Sequence, residues 1–276
     1  ARLWALLSIL PSVSAFYEFG SNVHGLKNAG DFKRWVTNSS YLVMVEFYRE
    51  GCGFCQLLTD QWEKAATDLK HLVHFCGIDT EKDRHLTEKV ARKYNIKIEG
   101  VPTIVAFTPK SKNPLPYNGE RKAAAIKSFA ASSMPDFVTR LSPKSLPSWL
   151  NHSSDASRKI ILFSEKSSTA ALIKAISSEY RGRVSFGLAA KTSFADLARS
   201  YGVDSYPTLV ALRRPADDFE EERWLQQTFG DKGVAVLSLA GSTKPTFRSL
   251  ESWVMPLARA ARRKKRRSRA SSRQDL

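Results

Sequence analysis

The sequence predicts an α/β fold arranged as two domains. Apolar runs of strand length alternate with segments of helical apolar spacing along the chain. The length, 276 residues, is enough for two domains of ordinary size, each with its own core. The run Val101-Pro102-Thr103-Ile104-Val105 in the first half also has a parallel in Tyr206-Pro207-Thr208-Leu209-Val210 in the second.

Arg2 precedes an apolar stretch over residues 3–10, Pro11 stops it, and Val13, Ser14 and Ala15 place small residues before a cut after Ala15. Residues 1–15 therefore read as a signal peptide, too short to span a membrane, and the expected compartment is one where disulfides form and persist. The sequons Asn38-Ser39-Ser40 and Asn151-His152-Ser153 are compatible with that route. Residues 22–26 read as a short strand, and 31–36 as a short helix capped at Asn28 or Asp31. Residues 41–48 (YLVMVEFY) are nearly continuous in apolar character, as in a strand covered on both faces. Leu57, Leu58, Trp62, Ala65, Ala66 and Leu69 give a helix over 56–69. A strand over 72–78, a helix over 86–94 and a strand over 103–107 follow. Tyr117-Asn118-Gly119 closes a short strand or turn, and residues 123–141 contain the last helix of this half.

Cys52 and Cys55 stand three residues apart where the 41–48 strand gives way to a helix. The first turn of a helix presents unpaired N–H groups and positive dipole charge, which favour a thiolate over a thiol. Cys52, at or just before the helix start, is the expected nucleophile, and Cys55, one turn in, the resolving thiol. A structural disulfide or half of a zinc site is the alternative. Zinc would need two further ligands, but only Cys76 remains and no His pair stands at ligand spacing. Cys76 itself lies among apolar neighbours and reads as a buried, inert thiol.

Glu46 interrupts the apolar strand. It either faces solvent at the strand end or lies buried beneath the dithiol as a proton acceptor, its pKa raised by desolvation.

Val45-Glu46-Phe47-Tyr48, Cys52-Gly53-Phe54-Cys55, Tyr94-Asn95, Gly100-Val101-Pro102-Thr103 and Tyr117-Asn118-Gly119-Glu120-Arg121 occur in order and with family-like spacing. Together they resemble the catalytic thioredoxin-like domain of the protein disulfide isomerase family, over about residues 16–141. The resemblance implies a thioredoxin fold with Cys52 as nucleophile, Cys55 as resolving thiol and Glu46 as the buried acid. It also implies that Pro102 is a cis-proline lying against the dithiol and presenting the substrate backbone, and that Arg121 is a mobile arginine adjusting the resolving thiol. Gly51, Phe54 and Val101 are the expected substrate contacts. Gly51 stands where the family usually has Trp, and Phe54 replaces the usual His between the cysteines. Phe54 cannot stabilise the thiolate as His does, so the couple is predicted to be more reducing than in the isomerases, moving from about −180 mV toward the roughly −270 mV of thioredoxin. Ile98 and Glu99 are extra residues before the Gly-Val-Pro turn and are expected to reshape the loop beside the dithiol.

The second half repeats the pattern, with strands at 159–164, 183–189, 206–210 and 234–239 and helices at 169–180 and 194–201. It is similar to a second thioredoxin-like domain in which Ser164-Glu165-Lys166-Ser167 replaces the cysteine segment, leaving either a spacer or a non-catalytic binding domain. The expected layout is two tandem thioredoxin-like domains, each a mixed central sheet flanked by helices: 16–142 catalytic, 143–158 a linker and leading helix, 159–258 non-catalytic. The acid-rich 217–223 stretch reads as a solvated insertion. Residues 259–276 form a basic disordered tail. That tail holds nine Lys/Arg against Asp275, half of the chain's formal charge of +16, so the folded part is only moderately basic. The tail can touch anionic surfaces, and no specific nucleic-acid partner is expected. Arg273-Gln274-Asp275-Leu276 resembles a lumenal retrieval signal.

The function these readings predict is a thiol-disulfide oxidoreductase of the endoplasmic reticulum lumen, acting on unfolded or disulfide-containing proteins without metal or organic cofactor. Glutathione or another oxidoreductase would recharge it. The alternative is a client-binding chaperone with vestigial redox activity.

Overall fold

A computed structural model describes residues 16–17, 20–109, 111, 113–151, 158–212, 227, 233–241 and 245–258. The expected signal peptide, the acid-rich 217–223 stretch and the basic tail lie outside the described residues. The chain divides into two compact units after Ser133.

In the first unit, β1 (Val23–Gly25) leads into α1 (Ala29–Phe32), which continues through Lys33–Thr37 with wider π-type turns. Asn28 caps α1, its side chain accepting from the amides of Gly30 and Asp31 at 2.8 and 3.0 Å. β2 (Leu42–Tyr48), α2 (Gly53–Asp68), β3 (Val73–Asp79), α3 (Arg84–Tyr94), β4 (Thr103–Phe107), β5 (Leu115–Tyr117) and α4 (Ala123–Ser133) follow. The sheet order is β1-β3-β2-β4-β5, parallel between β1, β3 and β2 and antiparallel from β2 through β4 to β5. β2 is central, and every residue of it is buried, as its unbroken apolar character requires.

Alternation along β2 decides what each face carries. Val43, Val45 and Phe47 pack with Phe32, Val36, Leu86 and Val90 on the face of α1 and α3. Met44, Glu46 and Tyr48 therefore point toward α2 and α4. Cys76 belongs to the first face, so the sheet separates it from the dithiol.

The second unit contains β6 (Val138–Arg140), α5 (Leu146–Asn151), β7 (Arg158–Ser164), α6 (Ala171–Glu179), β8 (Val184–Ala190), α7 (Lys191–Ser200), β9 (Thr208–Leu212), β10 (Val234–Ser238) and a helix over residues 247–258, α8. Its sheet order, β10-β9-β7-β8-β6, reproduces the first strand for strand, with β6 parallel to β8 at the edge. Both units are mixed sheets flanked by helices, the thioredoxin-like arrangement.

Two placements differ from the sequence reading. The helix in 123–141 stops at Ser133, and Val138–Arg140 pair with Phe186–Leu188 in the second sheet, which moves the division of the chain ahead of Pro143. The helix expected within 143–158 is α5, whose Leu146 and Trp149 pack on the second core. α8 was not expected. Phe247, Leu250, Val254 and Leu257 form its buried stripe at helical spacing.

Candidate active site

β2 ends at Tyr48, a turn through Arg49, Glu50 and Gly51 reverses the chain, and Cys52 takes the N-cap position of α2 in an extended conformation (φ −92°, ψ 114°). The Cys52 carbonyl accepts from the amides of Cys55 and Gln56, both at 3.1 Å, which fixes the first turn. The two thiols are free. Their environments differ: Cys52 keeps 9% of its surface exposed and Cys55 none. The hydrogen bond with the Cys55 side chain holds the Cys52 thiol below its ordinary range. The amides of Cys55 and Phe54 and the charge of Arg49 add to that, against the opposing effect of burial. Burial pushes the Cys55 thiol up to about 12, helped by its bond to Cys52 and by the negative charges of Cys52 and Glu46. The Cys52 Sγ lies 3.4 Å from the Val101 carbonyl oxygen, and the Val101–Pro102 peptide is cis.

Glu46 is fully buried, which decides against the solvent-facing alternative. Burial raises its carboxyl pKa to about 7, partly offset by a hydrogen bond from Tyr17 and by the charge of Arg121. The Tyr17 hydroxyl donates to Glu46 Oε2, and Oε1 has no hydrogen-bond partner among the described residues. Arg121, exposed on the loop before α4, donates from Nη2 to the Pro102 carbonyl at 3.2 Å. One side chain thus connects the proline turn to the buried acid's field.

Phe54, Val101, Pro102 and Arg121 share a cavity of about 810 Å3 with Tyr94, Glu99 and Tyr117, beside the sulfurs. Phe54 is 69% exposed and Leu57, one turn on, 77%, an apolar pair facing solvent next to the nucleophile. Gly51 is exposed, and a side chain there would meet open space. Of the two extra loop residues, Ile98 packs on the first core and Glu99 lines the cavity.

The structure gathers Cys52, Cys55 and Val101 at one point and places Glu46 behind them on the α2 face. Pro102, Arg121 and Phe54 line the flank, and Gly51 sits in the exposed turn before the nucleophile. Sequence reasoning missed Phe16, Tyr17 and Gly77. Phe16 stacks on Tyr48 with ring centroids 4.5 Å apart, and Tyr17 meets Tyr48 edge-on at 5.4 Å. Gly77 stands opposite Glu46 in the β2–β3 register. The available signal was a glycine inside an otherwise apolar strand, which often marks close approach by another group.

In the second unit, the segment Ser164–Ser167 does not occupy the position of the cysteines. Its β7–α6 loop is longer, so the N-cap of α6 is Ala170 and the third helical residue is Ile173, corresponding to Cys52 and Cys55. Neither carries a thiol.

Residues 23–132 match the thioredoxin family. The chain is 29% identical over 259 residues to protein disulfide isomerase-like 2-3 of Oryza sativa subsp. japonica, covering 82% of this chain and 55% of that protein. It is 37% identical over 149 residues to protein disulfide-isomerase 2-3 of Arabidopsis thaliana, covering 51% of this chain and 32% of that one. It therefore spans about half the length of the first of these relatives and a third of the second. The crystal structure of ERdj5, form II, superposes with a TM-score of 0.50 at 16% identity over 87% of this chain and 30% of that one, a likeness of fold. Through the unit that carries the dithiol, the chain belongs to the protein disulfide isomerase family.

Proposed function

We propose that the chain is a thiol-disulfide oxidoreductase/isomerase of the secretory pathway, acting on unfolded or disulfide-containing proteins through the Cys52-Gly53-Phe54-Cys55 dithiol. The observation that carries this reading is the inequality of the two thiols, one rimmed by helix-start amides with its pKa lowered, the other enclosed with its pKa raised to about 12. The signal-like residues 1–15 support the secretory assignment, and the names of the plant relatives support the disulfide-isomerase assignment.

The Cys52 thiolate attacks one sulfur of a client disulfide. A mixed disulfide forms and the other client sulfur leaves as a thiolate that takes a proton. Cys55 then gives its proton to Glu46 and attacks Cys52 Sγ. The mixed bond breaks, Cys52–Cys55 closes as a disulfide, and the second client sulfur leaves reduced. Two electrons pass from the dithiol to the client. Run backward, the same steps oxidise a client dithiol. Pro102 and Val101 shape the surface on which the client backbone lies, and Arg121, drawn toward the acid, favours the carboxylate form that accepts the proton.

Insulin reduction and refolding of scrambled ribonuclease by wild type and Cys52→Ser test this. Turnover lost in the variant is expected. Equal turnover in both would refute it. The exposed Phe54 and Leu57 favour a second reading, client capture without catalysis. Aggregation suppression without turnover in either protein would establish that one.

A further inference from the structure

The proton acceptor of the resolving step has a neighbour that no motif contains. Tyr17 precedes β1 and reaches across β3 to Glu46, donating its hydroxyl hydrogen to Oε2. Its ring lies where Gly77 has no side chain. A Cβ on Gly77 would stand 2.8 Å from Tyr17 Cε2, closer than real Cβ atoms approach, and a tight 3.0 Å from Tyr48 Cε1. The glycine, directly opposite Glu46 in the parallel β2–β3 pairing, is therefore what admits the tyrosine.

The second unit supplies an internal control. Phe47 faces Thr103 in the first sheet and Phe163 faces Thr208 in the second, so Glu46 corresponds to Leu162 and Gly77 to Leu188. Where the dithiol is absent, the acid and the glycine are absent too, and two leucines close the space.

We propose that Tyr17 is a positioning residue for Glu46: seated in the space left by Gly77, it occupies Oε2 and leaves Oε1 as the atom that takes the proton from Cys55. The role rests on the redox reading above. A hydroxyl that donates to a carboxylate stabilises the charged form, so Tyr17 works against desolvation and keeps the acid able to ionise near neutral pH. Arg121 acts in the same direction, while Tyr48 and Cys55 are the other titratable groups in the field of Glu46, and Glu63 acts on Tyr17.

The test is a carbon-13 titration of the Glu46 carboxyl in the reduced full chain, with Glu46→Gln to assign the resonance. It is paired with the pH profile of release of a glutathione mixed disulfide from Cys52. Tyr17→Phe, which keeps the ring and removes the donor, should move the Glu46 midpoint up by about 1–2 pH units and move the alkaline rise of the release rate with it. Gly77→Ala, with the tyrosine retained but its seat obstructed, should produce the same displacement and serves if Tyr17→Phe does not fold. In a Glu46→Gln background, Tyr17→Phe should leave the release profile unmoved. A folded variant of either kind whose Glu46 midpoint equals that of wild type overturns the proposal. Release that is absent in wild type, with the midpoint displaced as expected, overturns the redox reading instead.

Discussion

Replacing Phe54 by His should raise the reduction potential of the dithiol, and the structure limits how far. Position 54 is 69% exposed, so a protonated His would meet the Cys52 thiolate mostly through water. Exposed ion pairs are worth about 0.2–1 kcal/mol. Because 30 mV corresponds to about 1.4 kcal/mol for a two-electron couple, the potential should rise by about 5–20 mV. The Cys52 pKa should fall by no more than about 0.7 unit. The positive end of α2 disfavours a cation in the first turn, so protonation of the introduced imidazole sets in no higher than that of an ordinary one. An ordinary His titrates near 6.5, so the rise should be full at about pH 5.5 and nearly gone at about pH 8. Glutathione equilibration of wild type, Phe54→His and Phe54→Ala at those two pH values measures it. No rise at the lower pH, or an equal rise at both, would refute the charge argument. The figure is also well below the roughly 90 mV that separates thioredoxin from the isomerases. Most of any such difference must then come from groups closer to the sulfurs than residue 54.

Trp62 is fully buried on α2, its ring edge-on to Phe75 at 4.9 Å between centroids, so Trp62→Ala should cost about 3–5 kcal/mol in urea unfolding of the first unit. Burial and the nearby His24 push the His74 imidazole down to about 4. The unfolded chain therefore binds more protons between about pH 4 and 6.5, and stability falls as pH drops through that window, by at most about 3 kcal/mol. The difference between wild-type and His74→Asn urea midpoints at pH 7 and pH 4.5 isolates this contribution. Ala170→Cys with Ile173→Cys should give the second unit a pair able to form a disulfide, but mixed-disulfide release from it should be slower than at Cys52, since Leu162 offers the resolving thiol no base. Release rates measured in the Cys52→Ser background decide that point.

The dithiol, its helix start and the buried acid were legible because each rests on local pattern: two cysteines at a strand-to-helix junction, and one carboxylate in an apolar run. β1, β2, β3 and β4 were legible for the same reason. What escaped depends on pairing between distant segments. Tyr17 lies 29 positions from Glu46, and nothing near either residue shows that the β2–β3 register sets Gly77 beside them both. β6 has three residues and a single buried one, so its pairing with β8 leaves almost no local trace. The alignment of Ser164–Ser167 with the cysteines failed on loop length, which moves the start of α6 to Ala171 without changing the strand before it. α8 did carry a readable stripe, Phe247, Leu250, Val254 and Leu257, inside the bounds expected for the second domain, but no helix was assigned to it.

The two units together separate scaffold from chemistry within one chain. Both close the same strand order around a buried central strand, and at the equivalent point one buries a carboxylate and the other a leucine. The scaffold therefore does not need the acid. Burying it carries a desolvation cost that the leucine avoids. The glycine beside it adds to that cost by forgoing the side-chain packing that Leu188 provides in the other sheet. Two unfavourable choices in facing strands, with a tyrosine hydroxyl filling the gap they leave, are hard to account for by packing alone, which leucines at these two positions satisfy in the second unit. They are accounted for if the first unit must hold a base behind a thiol whose pKa stands near 12 and which must still lose its proton for each client released.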